Sequence, residues 1–305
     1  MNLLTVSPSP HIHNRRTTQK IMLDVIIALV PSAVASIILF GIRSVFILLC
    51  GIFVSFISEF VFNLILKRPQ TVMDLSSIVS GIILSLSLPA DMPLWQVATG
   101  ALFSIIVVKC LFGGIGKNFA NPAGTARVFL LLSFSKDIAG AGPIIADTFS
   151  AATPLTLIKN GAMHKLPSLT DMLLGIRGGA IGEGCILAII IGFVYMIIRR
   201  VITPHAPLGF ILGLVTLSLL FGRNPMYEII SGGAAFAAVF MATDYSSTPI
   251  NKCGRLIFGI GCGVITMLIR AFGIYPEGVS FALLFMNILT PYIDKLTRRR
   301  ALGGI

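Results

Sequence analysis

Ten apolar segments, separated by short polar stretches, constrain this chain more than any other feature. They cover about 21–40, 44–66, 72–89, 94–112, 121–135, 179–198, 206–222, 229–243, 254–272 and 278–296. A helix needs about 20 apolar residues to cross a bilayer, and fewer where helices are short or broken. The segments 121–135 and 229–243 are short for a full crossing. The pattern predicts an all-α polytopic membrane protein of about ten transmembrane helices.

The composition agrees with a membrane protein and argues against a soluble one. Of 305 residues, 55% are hydrophobic and only 11% are charged, whereas soluble domains carry about 25% charged residues. The first apolar segment has spanning length and no small-residue cleavage site, so no cleavable signal peptide is expected. The net charge of +11 comes from basic residues in short loops, where they orient helices, so no nucleic-acid binding is predicted.

The distribution of basic residues predicts the orientation. If the N-terminus is cytoplasmic and the spans alternate, 14 basic residues fall inside and 7 outside, in agreement with the positive-inside rule. Four of the seven lie in one long loop. Both termini are therefore expected in the cytoplasm and loop 136–178 outside. The outer residues are Arg43, Lys136, Lys159, Lys165, Arg177, Arg223 and Arg270.

The two membrane halves, predicted as 21–135 and 179–305, resemble each other. They are preceded by a cytoplasmic segment, 1–20, and the second half ends in a basic cytoplasmic C-terminus. Ser80-Gly81 parallels Ser231-Gly232, and Asn121-Pro122-Ala123-Gly124 parallels Tyr275-Pro276-Glu277-Gly278. Five spans in each half imply two inverted five-helix repeats with short or broken helices. Asn121-Pro122 and Pro276 are predicted helix starts, with ordinary loop–helix junctions as the alternative.

Cysteine and histidine show no metal-binding pattern. The five cysteines contain no C-x-x-C pair and are predicted to be inert buried thiols, an iron–sulfur ligand being the minority interpretation. The four histidines are scattered, so no metal is assigned.

One stretch of the long loop resembles a known modification site. A loop of this length is usually functional or disordered. Residues 147–153 read Asp-Thr-Phe-Ser-Ala-Ala-Thr, similar to the motif at which a flavin transferase couples FMN to threonine. That motif is Asp, two variable positions, Ser or Thr, Gly, Ala, and the acceptor. Asp147, Ser150, Ala152 and Thr153 match it, whereas Ala151 stands where the motif has glycine, which restricts the backbone.

Further motifs extend the resemblance over nearly the whole chain. Gly113-Gly114-Ile115-Gly116-Lys117-Asn118, Ala242-Thr243-Asp244, Gly254-Arg255-Leu256-Ile257-Phe258-Gly259 and 275–282 resemble the family that contains the D subunit of the Rnf complex and the B subunit of the sodium-pumping NADH:quinone oxidoreductase. The length is closer to the Rnf branch.

The resemblance implies an electron-transfer subunit of an ion-translocating ferredoxin:NAD⁺ oxidoreductase, not catalytic alone, in a bacterial cytoplasmic membrane. FMN would be joined through its phosphate to Thr153 in an extracytoplasmic loop, making the chain a covalent flavoprotein. A second, non-covalent flavin (riboflavin) near the inner side stays open. The implied partners are the A and E membrane subunits, the flavin-bearing G subunit, the soluble B and C subunits, a flavin transferase and the lipid bilayer.

Charged residues near the proposed flavin and within the spans complete the prediction. Lys136, Lys159, Lys165 or Arg177 could offset the phosphate charge, with a solvated surface side chain as the alternative for each lysine. Acidic residues within spans are costly and are candidates for an ion path; these are Glu59, Asp24, Asp74 and Asp244. Lys109 and Arg127 are expected to extend toward the interface. A structural pairing of Glu59 with Lys109 and an ion path both remain open, as does Na⁺ or H⁺ as the coupling ion.

Two other classes of function compete with this interpretation. A solute channel or transporter of inverted-repeat fold would carry no redox cofactor, and its loop would tolerate Thr153→Val. A scaffold for neighbouring redox subunits would leave electron transfer intact when Thr153 is replaced.

Overall fold

The computed structural model describes residues 17–139, 153–161, 166–273 and 275–298. These residues form helices and contain no β-strand, only an isolated bridge between Pro89 and Ala180. The helices are α1 Thr18–Phe40, α2 Ile42–Ile65, α3 Ser76–Leu86, α4 Leu94–Cys110, α5 Pro122–Ser133, α6 Ser135–Ala139, α7 Pro154–Lys159, α8 Leu169–Leu174, α9 Ile186–Ile198, α10 His205–Leu220, α11 Pro225–Ile230, α12 Ala234–Phe236, α13 Lys252–Phe272 and α14 Val279–Thr297.

The predicted all-α membrane class is confirmed for the described residues. Helices α1, α2, α13 and α14 are long and apolar enough to cross a membrane, and α3, α4, α9 and α10 are shorter apolar helices. Large side chains on the outer surfaces are exposed, such as Ile38 at 71% and Phe53 at 65%. Contiguous apolar surface of this kind suits lipid rather than water. The chain is therefore a multi-pass membrane protein.

Two helix boundaries show how the sequence sets local structure. Gly41 has φ +73° and ψ −159°, a conformation open mainly to glycine, and it lets α1 turn directly into α2. Asn121 caps α5 as predicted, because its side chain accepts from Gly124 N at 3.0 Å and Pro122 occupies the first turn. Pro276 does not start a helix, and the alternative of an ordinary loop–helix junction holds there. Helix α14 begins at Val279 after the cap Gly278, and the intervening Glu277 is paired with Arg127.

Glycines allow the closest helix contacts. On α10, a Cβ at Gly209 would lie 2.5 Å from the Leu256 carbonyl oxygen of α13. Between α2 and α3, a Cβ at Gly81 would lie 2.6 Å from the Gly51 carbonyl oxygen. Small residues at helix interfaces replace the hydrophobic driving force that lipid does not supply.

Two helices widen into π-helical turns. Residues Phe103–Cys110 complete α4 in this form, and Ala237–Met241 continue α12. The carbonyl oxygen of Met241, at the end of the second π segment, accepts a hydrogen bond from Asn121 Nδ2 at 3.2 Å. The start of α5 is thereby joined to the second half of the chain.

Candidate cofactor-attachment site

Thr153 is the N-cap of the short helix α7. Its backbone is extended, with ψ 151°, and Pro154 follows in the first turn. Thr153 Oγ1 accepts a long hydrogen bond from Thr156 N at 3.4 Å and donates to Thr156 Oγ1 at 3.3 Å. The hydroxyl is half-buried and only weakly engaged. The other predicted motif residues lie outside the described residues: Asp147, Ser150, Ala151 and Ala152.

Helix α7 is packed against the second half of the chain. Leu155, Leu157 and Ile158 are buried, and the Leu155 side chain lies directly against Gly232, whose φ of +58° suits glycine. The described part of segment 136–178 contains three short helices, α6, α7 and α8. Their buried leucine and isoleucine side chains supply the packing that a loop lacks. Thr153 is therefore presented from a fixed element.

The segment that carries Thr153 lies where α1 and α13 end. Lys159 Nζ donates to the Gly273 carbonyl oxygen at 2.6 Å, just beyond α13. A Cβ at Gly175, in the loop before α9, would lie 2.7 Å from Leu39 Cδ1 near the end of α1. At the opposite end, Asn251 Nδ2 donates to the Thr297 carbonyl oxygen at 3.0 Å. We call the Thr153 end the threonine end.

A small pocket opens beside the Thr153 hydroxyl. Its walls come from the start of α7, a glycine-rich loop before α9, and the turns that precede α12 and α14. The lining residues are Thr153, Pro154, Arg177, Gly178, Gly179, Ala180, Glu183, Gly184, Gly232 and Glu277.

A buried arginine crosses from the first half to the pocket. Arg127 on α5 is 3% exposed, and its two terminal nitrogens lie 2.7 Å from Glu183 Oε1 and 2.6 Å from Glu277 Oε2. The expectation that Arg127 extends to the interface is wrong, because two carboxylates from the second half hold it inside. The sequence motifs did not identify Glu183 or Glu277 as site residues. The sequence feature that could have identified them is a single carboxylate within a glycine-rich or apolar stretch.

A second arginine, Arg270 on α13, lies behind Gly232. Its Nη1 is 2.9 Å from Glu228 Oε2, and its Nη2 donates to the Ser231 carbonyl oxygen at 2.8 Å. Glu228 also pairs with Arg223 at 3.3 Å. Arg270 is therefore paired with Glu228 and does not line the pocket.

Arg177 is the third arginine and forms part of the pocket wall. It is 5% exposed, its Nη2 donates to the Glu183 carbonyl oxygen at 2.7 Å, and its Nη1 has no partner among the described residues. Burial lowers the pKa of Arg177 to about 10, and the charge of Arg270 also lowers it, while Glu183 and Glu277 oppose the change. The guanidinium stays protonated at neutral pH.

The other cations expected near the flavin differ from Arg177. Lys136 on α6 is exposed. Lys159 is exposed and bonds the Gly273 carbonyl. Lys165 lies outside the described residues. Of the four predicted candidates, the described structure brings Arg177 into the pocket that contains Thr153.

Glu59, the first predicted ion-path residue, is paired inside the protein. Lys109 Nζ lies 2.8 Å from Glu59 Oε1, with both side chains 2% exposed. Ser76 Oγ accepts from Lys109 Nζ at 2.7 Å, and Thr71 Oγ1 donates to Glu59 Oε1 at 2.8 Å. The pairing left open by the sequence is thus present, and the expectation that Lys109 reaches the interface is wrong. The ion-path role stays a prediction.

The remaining predicted acids do not form one site. Asp24 is buried and lies 3.2 Å from Arg199 Nε. Asp74 is half-buried after α2. Asp244 accepts from Ser246 and Ser247 hydroxyls at 3.0 and 2.9 Å. Of the four predicted acids, Asp244 is the one that lines a cavity at the end opposite Thr153, together with Ser76, Ser80, Lys109, Asn118 and Asn121.

Cysteine burial is mixed. Cys110 and Cys262 are buried as predicted, but Cys50 and Cys185 are half-buried and Cys253 is exposed at the start of α13. The expectation of five buried thiols is therefore wrong for three. In the described parts of the chain, no group of three metal-binding side chains comes together.

Comparison with known proteins agrees with the motifs. The NQR2, RnfD, RnfE family model matches residues 5–303. The chain is 42% identical over 303 residues to the D subunit of the Na⁺-translocating ferredoxin:NAD⁺ oxidoreductase complex of Acetobacterium woodii, covering 98% of this chain and 95% of that protein.

Two further relatives extend the comparison. The D subunit of the proton-translocating ferredoxin:NAD⁺ oxidoreductase complex of Clostridium ljungdahlii is 34% identical, covering 97% of this chain and 95% of that protein. The B subunit of the Na⁺-translocating NADH-quinone reductase of Chromohalobacter salexigens is 40% identical over 232 residues, covering 71% of this chain and 56% of that protein.

Proposed function

The chain belongs to the NQR2, RnfD, RnfE family, and we propose that it is the membrane electron-transfer subunit of an ion-translocating ferredoxin:NAD⁺ oxidoreductase complex. It would carry FMN joined through the phosphate to Thr153. Relatives over nearly the full length are named as the D subunits of such complexes. The chain contributes to a redox-driven translocase and is not an enzyme alone.

The observation that carries the flavin proposal is the position of the Thr153 hydroxyl. Thr153 is half-buried, its hydroxyl is weakly bonded, and the residue lines a pocket that Arg177 also lines. The buried Nη1 of Arg177, without a described partner, fits a group that brings negative charge. Burying a charged group is costly unless it is paired with an opposite charge.

Attachment is the transfer of a flavin nucleotide to one oxygen. The Thr153 oxygen bonds to the flavin-side phosphorus of an activated flavin nucleotide supplied by the transferase, the leaving group departs from that phosphorus, and the hydroxyl proton is released. The product is a phosphodiester with one negative charge. When bound, the flavin supplies one- and two-electron transfer, and the protein supplies binding and position.

The proposed layout has ten crossings in two inverted halves, in a bacterial cytoplasmic membrane. Both termini are cytoplasmic and the Thr153 segment is extracytoplasmic. Two observations support it. The Thr153 segment meets the ends of α1 and α13, and the basic residues predicted inside outnumber those outside by 14 to 7.

The proposed partners are the other subunits of the complex. The A and E membrane subunits, the flavin-bearing G subunit and the soluble B and C subunits would surround or contact this chain, and a flavin transferase would mature it. A second flavin, riboflavin, is proposed as a non-covalent ligand. Relatives named for Na⁺ and for protons both fall within this family.

The test is the mass and fluorescence of the denatured chain after co-expression with a flavin transferase. We expect the wild-type chain to gain FMN minus water and to remain fluorescent in a denaturing gel, and Thr153→Ala to lose both. Thr156→Val is the matched control, because Thr156 is the neighbouring hydroxyl 3.3 Å away, and it should keep the flavin. A wild-type chain of bare mass would contradict the proposal and favour a channel without a redox cofactor.

The scaffold alternative requires a separate measurement. Ferredoxin:NAD⁺ electron transfer should be lost in assembled complexes that contain Thr153→Ala. Full electron transfer in that complex would show that this chain only supports its neighbours.

A further inference from the structure

We infer that Arg177 is the residue that holds the phosphate of the nucleotide attached at Thr153. The inference rests on the proposed function and deepens it, since it assigns the anion-binding group of the same site. It follows from three features of Arg177: its position in the pocket wall, its unmatched hydrogen-bonding capacity, and the charge of the surrounding ion-pair network.

Position and an unpartnered terminal nitrogen distinguish Arg177, since Arg127 and Arg270 lack a partner among the described residues only at Nε. Arg177 lines the pocket that Thr153 also lines and is 5% exposed. A guanidinium has five N–H donors in a planar fork. Arg177 donates from Nη2 to the Glu183 carbonyl oxygen, and Nη1 is left without a partner among the described residues. A planar fork is well matched to two phosphate oxygens.

The other two arginines of the cluster already have carboxylate partners. Arg127 pairs with Glu183 and Glu277, and Arg270 pairs with Glu228. Within the described residues, Arg177 forms no ion pair with a carboxylate. A phosphate oxygen entering the pocket would therefore meet Arg177 without displacing an existing salt bridge.

The charges around the pocket show which cation is available to an anion. Both carboxylates of the pocket wall, Glu183 and Glu277, are held by Arg127. Glu228 is shared by Arg223 and Arg270. The guanidinium of Arg177 is therefore the cation of the pocket wall left to meet the single negative charge of a threonine–flavin phosphodiester.

The competing explanation gives Arg177 a purely structural role. Its bond to the Glu183 carbonyl ties together the glycine-rich loop, and loss of that bond alone would loosen the pocket. Arg43 supplies a matched control. Its Nε donates to the Ala90 carbonyl oxygen at 2.8 Å and its Nη2 to that of Asp91 at 3.1 Å, at the threonine end but outside the pocket lining.

The experiment uses the complete complex, co-expressed with flavin transferase, with Arg177→Gln, Arg177→Lys and Arg43→Gln. The readouts are flavin occupancy of the denatured chain by mass, the ³¹P chemical shift of the native phosphodiester, and the fluorescence anisotropy decay of the native flavin. We expect Arg177→Gln to lower the rate of attachment roughly tenfold, the effect of removing one charge-assisted hydrogen bond. Flavin that is attached should give a shifted ³¹P resonance and move more freely.

The two remaining variants separate charge from structure. Arg177→Lys should restore attachment but not the wild-type ³¹P shift, because an ammonium replaces the fork with a point charge. Arg43→Gln should match the wild type in all three readouts. If the Arg177→Gln complex does not assemble, the ³¹P shift of Arg177→Lys, compared with that of the wild type, tests whether Arg177 contacts the phosphate.

The failures are distinguishable. A wild-type chain without flavin overturns the proposed function itself. A different result overturns only the role of Arg177: the wild type carries flavin, and Arg177→Gln or Arg177→Lys leaves the ³¹P shift and the flavin mobility unchanged.

Discussion

At the residue scale, Thr153 combines two roles that a mutation can separate. Its oxygen caps α7 by accepting from Thr156 N, and the same hydroxyl is the proposed acceptor of the phosphate. Replacing an N-cap residue by alanine costs about 1 kcal/mol of stability. Loss of flavin from Thr153→Ala could therefore come from the missing helix cap as well as from the missing acceptor hydroxyl.

Thr153→Asn removes the acceptor hydroxyl but keeps a strong N-cap, since Asn caps at least as well as Thr. We expect a chain without flavin whose thermal stability in detergent matches that of the wild-type chain produced without flavin transferase. Mass analysis and thermal denaturation check it. A flavin retained on Thr153→Asn would mean that another residue is the acceptor.

Also at the residue scale, Glu59 and Lys109 form a buried ion pair whose role in stability or in ion transport can be tested by mutation. Each is 2% exposed. Removing one partner leaves a buried charge unpaired, which is strongly destabilising, whereas replacing both by apolar groups is often tolerated.

For this pair we predict opposite outcomes in two variants. Glu59→Gln should destabilise the protein by about 3–5 kcal/mol, because the Lys109 ammonium is left unpaired. Glu59→Leu with Lys109→Met should recover most of that loss. Thermal denaturation in detergent measures stability, and ion uptake by reconstituted complexes measures transport. A stable double variant without ion transport would favour the ion-path role; normal transport would leave the pair purely structural.

At the element scale, glycines determine how closely α10 and α13 approach. The Cβ of any larger residue at Gly209 would meet the Leu256 carbonyl oxygen at 2.5 Å and Ile260 N at 3.1 Å. Both atoms are helix backbone and cannot rotate away, so the two helices must separate.

Gly209→Val should therefore destabilise the protein by about 1–3 kcal/mol, the range for overpacking. The matched control is Gly124→Ala in α5, whose added Cβ would have its nearest neighbour at 3.8 Å, an ordinary contact. Thermal denaturation of the detergent-solubilised protein compares the two. Equal stability of Gly209→Val and the wild type would show that α10 and α13 do not pack as described.

At the scale of the whole molecule, the orientation in the membrane decides which solution meets Thr153. Asn160 is exposed one residue beyond α7, and the native Cys253 is exposed at the start of α13. These two positions belong to opposite ends of α13, since Lys159 bonds the residue after that helix.

Labelling of intact cells with a membrane-impermeant maleimide tests the orientation. Asn160→Cys should react in intact cells, whereas native Cys253 should react only after the membrane is permeabilised. The wild-type chain gives the background, and Cys253→Ser identifies its signal. Protection of Asn160→Cys in intact cells would place the Thr153 segment in the cytoplasm and contradict the proposed layout.

Apolar length and local chemistry were enough to predict most helices. The run before Gly41, the Asn-Pro pair at 121–122 and the long apolar stretches at both ends of the chain correspond to α1, α5, α13 and α14. These features depend on hydrogen bonds and hydropathy within a few neighbouring residues, which a sequence displays directly. Pro276 is different, because it lies before α14 in a turn whose Glu277 pairs with the distant Arg127.

The family motifs and the proposed acceptor threonine were likewise accessible from residue order alone, because they are contiguous. The charged groups were not. Arg127 meets Glu183 and Glu277 across 56 and 150 residues of chain. Arg177 is distinguished from the two described lysines, Lys136 and Lys159, because it lines the pocket beside Thr153. Whether a buried charge is paired depends on groups brought together by helix packing. Only the folded chain could therefore separate Arg127 and Arg270, which are paired with carboxylates, from Arg177, which has no carboxylate partner among the described residues.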